Sequence, residues 1–340
     1  MKLLAAVTDQ LAAAIEGKEG TPKALSLRAL TDLLTRARRE VPEKLRAGLA
    51  ASLTDLPWMQ QSEVLEYRWD AVKTAAMLPS LRRIVDHPPE GRRELRDLAA
   101  RRIYELDPAE GRKLILEDML RKQPLFGFQV LAALPDQTLP SIESSLMDNL
   151  ERTGDWIGRE LIARYGSKAI LPRVKALSAR APSACDPTLN AYFLRVDPEF
   201  GEAKIRQAQT EAAGSRCQAL IISQTARYYA GPEWEKIAIE ALQDPLVGVK
   251  MDAARALGQR GSSAAKEPLF RAFEYWRDWW KNRPAEMNEE NRYFERELAR
   301  ALATGKAWKL QKAEFSRLEA LCLTEQCRRL VVGRPAEAAR

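Results

Sequence analysis

The chain has 340 residues, long enough for two globular domains or one elongated array, and its 46% hydrophobic content suffices to fill a core. Charged residues make up 30%, and glycine (17) and proline (19) are not enriched, which excludes collagen-like and low-complexity classes. The net charge of +7 arises from 54 basic and 47 acidic residues interleaved throughout, the pattern of a solvated helix surface rather than a nucleic-acid stripe.

In chain order, Met1-Lys2-Leu3-Leu4-Ala5-Ala6-Val7-Thr8-Asp9 begins like a signal peptide. Asp9 ends the apolar run early and no small-residue cleavage site follows, so the segment reads as the first turns of an amphipathic helix. Gly17-Lys18-Glu19-Gly20-Thr21-Pro22 separates it from a second helix. No apolar run approaches the ~18 residues of a membrane span. The expected compartment is the cytoplasm, with export the alternative if the start is truncated and the cysteines are paired.

From there the sequence reads as helix after helix. Leu78-Pro79, Leu139-Pro140 and Leu171-Pro172 each open a helix after a short turn, and Lys266-Glu267-Pro268-Leu269 is a variant. Asp107-Pro108, Asp186-Pro187, Asp197-Pro198 and Asp244-Pro245 mark further starts. Aspartate caps the free N–H groups of the first turn, and proline at the first helical position sacrifices no hydrogen bond. In Asp107-Pro108-Ala109-Glu110 the glutamate can reach back to complete a capping box. Two of these signals extend into Asp-Pro-x-x-Gly, at Asp107 to Gly111 and Asp197 to Gly201, and Asp244-Pro245-Leu246-Val247-Gly248 repeats it. The spacing is that of irregular helical repeats of roughly 30 to 47 residues.

The clearest unit spans 244–282. In its first helix Leu246, Val249, Ala253, Ala256 and Leu257 share an apolar face opposite Lys250, Asp252, Arg255 and Gln259. In its second, Leu269, Ala272, Phe273, Trp276 and Trp280 recur at helical spacing. Neither helix buries its stripe alone, whereas stacked hairpins bury all of them. Asn282 to Glu290 is a polar insertion before the last helices, and 333–340 reads as a frayed tail.

Residues 244–273 resemble the HEAT-like repeats of bacterial proteins, of the type related to the phycobilisome lyase repeat. The carrying residues are Asp244-Pro245, Val249-Lys250, Ala253-Ala254, Ala256-Leu257-Gly258, Gly261 and Pro268-Leu269. The resemblance implies an all-α, right-handed solenoid of antiparallel helix pairs, here one array over 1–332. It implies binding rather than catalysis and transfers no functional residue.

Chemistry-bearing patterns are few. His87 is the only histidine and sits before Pro88-Pro89, where a solvated turn residue is the plain reading. Histidine-based zinc motifs, a phosphate-binding loop and a nucleophile elbow are absent from the sequence. Glu289-Glu290 and Glu117-Asp118 read as surface charges. The four cysteines, Cys185, Cys217, Cys322 and Cys327, read first as free thiols of a cytosolic protein. Two disulfides are the alternative, with Cys322 and Cys327 stapling a helix end and Cys185 meeting Cys217 across neighbouring hairpins. A four-cysteine zinc site fits poorly, because such sites show two tight pairs.

The sharpest candidate binding feature is aromatic. Tyr275 lies off the core stripe of its helix and Trp279 on its flank, beside Arg271, Arg277 and Lys281, and aromatics with arginine typify interface hot spots. The plainer expectation is that the helices around Tyr293-Phe294 and Leu298 cover them. The function expected is therefore a non-catalytic scaffold that binds a protein partner, with no cofactor and no metal. The alternative is nucleic-acid binding in a basic groove, with Arg101, Arg102, Lys113 or Lys175 aligned.

Overall fold

A computed structural model describes residues 15, 18–89, 91–180, 185–210 and 216–332, the side chains of 216–219 apart. The first helix, the Cys217 side chain and the 333–340 tail of the sequence reading lie outside these. Every regular element among the described residues is a helix. The chain forms two compact units, Met1–Asp136 and Gln137–Arg340.

The first unit holds α1 (Gly20–Arg36), α2 (Glu43–Ala51), α3 (Trp58–Tyr67), α4 (Trp69–Val72), α5 (Leu78–Asp86), α6 (Arg93–Leu106), α7 (Pro108–Met119) and α8 (Phe128–Leu131). Helix α6 is its hub, touching α3, α5, α7 and α8. Its apolar positions Leu95, Leu98, Ala99 and Ile103 are buried at helical spacing.

The second unit holds α9 (Pro140–Thr153), α10 (Trp156–Tyr165), α11 (Leu171–Arg180), α12 (Pro187–Val196), α13 (Pro198–Thr210), α14 (Arg216–Thr225) and α15 (Pro232–Ala241). It continues with α16 (Val247–Arg260), α17 (Lys266–Trp280), α18 (Glu289–Thr304), α19 (Lys312–Leu321) and α20 (Glu325–Val332). The even-numbered helices α10 to α20 touch one another in succession. The odd-numbered ones lie against them: α11 and α13 on α12, α15 on α16, α17 on α18, and α19 on both α18 and α20. Further contacts join α13 to α15 and α17 to α19. A continuous core runs beneath, with Trp234, Phe270, Phe273, Phe294 and Leu298 fully enclosed.

Three of the four Asp-Pro start signals work where they were read, and Asp197 accepts the Phe200 N–H. The Asp107 carboxylate accepts the N–H groups of Ala109 and Glu110, and Asp186 that of Leu189. Glu110 does not complete the expected box but reaches Arg82. A full capping box forms instead at Gln311 and Glu314. The Asp-Pro-x-x-Gly signal has a steric cause beyond capping. A Cβ at Gly111 would lie 2.3 Å from the Tyr104 Cα, and one at Gly201 would lie 2.4 Å from the Leu194 N, so each glycine lets its helix press on the preceding backbone.

The clearest repeat needs three corrections. Helix α16 begins at Val247, and Asp244 accepts the Leu246 N–H in a turn before it rather than capping the helix itself. Leu246 is consequently 41% exposed. Asp252, expected on the solvent face, is only 2% exposed and accepts the Ser223 N–H of α14 at 2.9 Å. Asp118 is likewise buried, because its two carboxylate oxygens take the N–H groups of Leu125 and Phe126.

A recurring device closes the turns. Glu143 on α9 accepts both the N–H and the hydroxyl of Ser167. Glu235 on α15 does the same for Ser262, at 2.6 and 2.9 Å. Glu295 on α18 takes the N–H groups of Leu323 and Thr324 and the Thr324 hydroxyl. Turn carbonyls are met from the other side: the Arg195 guanidinium donates to those of Ala163 and Gly166. Each pairing satisfies backbone groups that a helix end leaves unpaired.

Candidate interaction surface

The 15-residue helix α17 has one broad buried face, Leu269, Phe270, Ala272, Phe273 and Trp276, and its opposite edge projects into solvent. Phe294 of α18 meets the Trp276 ring edge-on, with centroids 4.8 Å apart, and Trp280 lies 5.9 Å beyond. This packing is what the helix spacing predicted. It does not reach the other two aromatics. Tyr275 and Trp279 are each 56% exposed, and Tyr293, expected among the covering residues, is itself exposed.

The arginines around these rings differ from those singled out in the sequence. Arg277 turns to Asp278, 3.4 Å away, and Lys281 reaches the same carboxylate at 3.2 Å. Arg271 is exposed and lies near the Glu267 carboxylate. The guanidinium that covers the tryptophans belongs to Arg283, centred 5.2 Å from the Trp279 ring and 5.1 Å from that of Trp280. Arg296 stacks on Tyr293 at 4.0 Å. The signal for Arg283 was its place three and four residues after the two tryptophans, since its N–H continues the turn to the Trp280 carbonyl. Stacked arginine keeps its donor edge free while its flat face shields the ring.

The surface is anchored from behind. Arg317 of α19 bridges Glu267 and Glu274 of α17 and lies over the Phe270 ring, and those carboxylates hold its guanidinium above its ordinary pKa. Burial pulls the Lys250 ammonium below its ordinary value where it sits over Trp276. The Trp276 and Trp280 indole N–H groups are buried with no partner among the described residues. Unmet buried donors oppose stability.

The free-thiol expectation is overturned at Cys322 and Cys327, which form a disulfide with Cα atoms 5.5 Å apart. Cys185 is also disulfide-bonded, and its expected partner side chain, Cys217, is outside the described residues. No free cysteine occurs among the described residues. The sulfur–sulfur bonds leave these atoms unsuited to a four-thiolate zinc site. Among the described residues no three His, Cys, Asp or Glu side chains converge as metal ligands. Burial raises the pKa of both Glu160 and Tyr228, whose hydrogen bond ties α10 to the segment after α14.

Three of the four basic residues proposed for nucleic acid are occupied. Arg102 donates to the Leu65 carbonyl and to Glu105, Lys113 lies 3.9 Å from Glu117, and Lys175 pairs with Asp197 at 2.6 Å. Arg101 alone of the four is exposed without such a bond among the described residues. No helix among the described residues is long and apolar enough to cross a membrane. No family model, curated protein or solved structure matches the chain.

Proposed function

We propose that this chain is a non-catalytic scaffold whose second unit is a HEAT-like, right-handed α-solenoid of antiparallel pairs, binding a protein partner through the edge of α17. The helix contacts support the solenoid reading, because each even-numbered helix meets the next even one and carries odd-numbered helices against it. The observation that carries the binding reading is the exposure of Tyr275 and Trp279 on a well-buried helix, with Arg283 laid over Trp279. Large exposed aromatics disfavour solubility, and Trp, Tyr and Arg are the residues that dominate protein interfaces. The paired cysteines support an oxidising compartment over the cytosol.

The test is affinity capture from the native host with the natural chain and with Trp279→Ala as parallel baits. A protein retained by the first and lost by a Trp279→Ala chain that melts normally is the expected result, with direct affinity reduced about 30-fold or more for a hot-spot residue. Equal capture by both baits refutes the assignment. A captured nucleic acid released by modest salt replaces it with the alternative, since phosphate contacts are steeply salt-dependent.

A further inference from the structure

We propose that the first unit carries a second, separate site: a cleft that binds a small ligand bearing phosphoryl or carboxylate oxyanions through Arg92, Arg93 and Arg96. The cleft has a volume of about 340 Å³, and Pro88, Pro89 and Pro124 line it beside the three arginines. No carboxylate lines it among the described residues.

Each arginine is positioned by something other than an acid. The Arg92 N–H closes a turn onto the Pro89 carbonyl at 3.0 Å, a turn that places Gly91 at φ +72°. The Arg92 guanidinium then lies over the Trp58 ring, 3.8 Å from its centroid. Arg93 is held by the Phe126 carbonyl at 2.8 Å, and Arg96 through its Nε by the Val85 carbonyl at 3.0 Å. Carbonyls orient a guanidinium without neutralising it, and each of these side chains keeps unused N–H donors. None of the three makes an ion pair among the described residues, whereas Arg82, Arg112, Arg173 and Arg317 do.

Arg92, Arg93 and Arg96 lie at the start of α6, where the positive end of the helix disfavours cations; Glu94 of the same turn and Asp97, which acts on Arg93, offset part of that charge but do not line the cleft. An oxyanion in the cleft offsets the remainder. Guanidinium forks match the paired oxygens of phosphate and carboxylate, and stacking on Trp58 fixes one fork in advance. The proline walls are rigid and offer no competing N–H donors. The volume suits a small organic anion rather than a folded partner, so the site is independent of the α17 surface.

Isothermal titration of the full chain with inorganic pyrophosphate and, separately, with citrate tests this, with chloride matched between cell and syringe. The expected result is one-to-one binding of at least one probe with a submillimolar Kd. Arg92→Gln should weaken it at least tenfold, and Trp58→Leu, which keeps every charge, should weaken it as well. Arg101→Gln, an exposed arginine on the same helix outside the cleft, should leave it unchanged. Binding of pyrophosphate alone identifies a phosphoryl ligand, and binding of citrate alone a carboxylate one. No heat with either probe, or equal weakening by Arg92→Gln and Arg101→Gln, overturns the proposal.

Discussion

Glu295 offers the strongest test of how the second unit is held together. It is fully enclosed on α18, and one carboxylate oxygen takes the N–H groups of Leu323 and Thr324 at 2.6 and 3.1 Å while the other takes the Thr324 hydroxyl. Glu295→Ala strands two backbone donors and a hydroxyl in a part-buried turn. Each stranded donor costs about 1–3 kcal/mol, so a loss of about 3–5 kcal/mol is expected once water recovers some of it. Glu295→Gln keeps one acceptor oxygen and the volume, and the Thr324 hydroxyl can rotate to accept from the new amide, so about 1–2 kcal/mol is expected there. The Cys322–Cys327 disulfide encloses the same two residues. Closing so short a loop is worth about 2 kcal/mol in the chain-entropy account. Restraints on one segment do not act independently, so reduction and Glu295→Ala should give losses that fail to add. Urea unfolding followed by tryptophan fluorescence reads this out: with a slope of about 2–3 kcal/mol per molar, the alanine midpoint should fall by about 1–2 M. Alanine and glutamine variants that both unfold within about 0.3 M of the natural chain would refute the clamp.

Two further substitutions probe specific contacts. Burial holds the Asp252 carboxyl above its ordinary pKa, with its second oxygen unpaired, so its ionisation opposes folding. The stability it lends is intact below the unfolded pKa and lost as pH rises through the folded one, so Asp252→Asn should melt higher than the natural chain at pH 7–8 and converge with it in acid; a melting-temperature difference that stays constant from pH 4 to 8 would contradict this. Gly201→Ala should destabilise by about 1–3 kcal/mol or more despite alanine's better helix propensity, because the added Cβ meets the Leu194 backbone and not a yielding side chain; a stabilised protein in thermal melts would show that α13 does not press on α12 as described.

The sequence and the structure agree where a signal is local. Proline and aspartate at helix starts report on one or two turns, and Leu78, Leu139 and Leu171 lie at the entrances of α5, α9 and α11 as their Leu-Pro pairs foretold. The stripe Leu269, Ala272, Phe273, Trp276 is buried because periodicity alone decides which face of a helix can be covered. Disagreement begins where the partner is distant. Asp252 sits among polar residues on its helical wheel, yet α14 supplies a backbone N–H 29 positions earlier that draws it inward. Asp118 follows Glu117 like an ordinary surface acid, and only the return of Leu125 and Phe126 makes it a clamp. Arg92 looks like one more charge in the Arg92-Arg93-Glu94 run until Trp58, from another helix, lies beneath it.

The same distinction explains why the turn clamps went unread although their donors repeat. Gly166-Ser167 and Gly261-Ser262 stand in equivalent places, each serine hydroxyl also capping a short 3-10 turn by accepting the N–H of Ala169 or Ala264. That local half of the motif is written in the sequence as Gly166 or Gly261 followed by the helix-opening Pro172 or Pro268. The acid half arrives from a preceding odd-numbered helix, Glu143 for one turn and Glu235 for the other. On those helices a glutamate looks no different from its solvated neighbours. Its placement matters because a turn between two helices leaves N–H groups that neither helix can satisfy, and a carboxylate from the adjoining pair satisfies them at the point where one pair passes to the next. Two neighbouring hairpins joined only by apolar faces could slide along each other with little loss. A carboxylate that accepts a specific N–H and a specific hydroxyl fixes their register, and a register fixed in this way presents Tyr275 and Trp279 at one defined position on the surface.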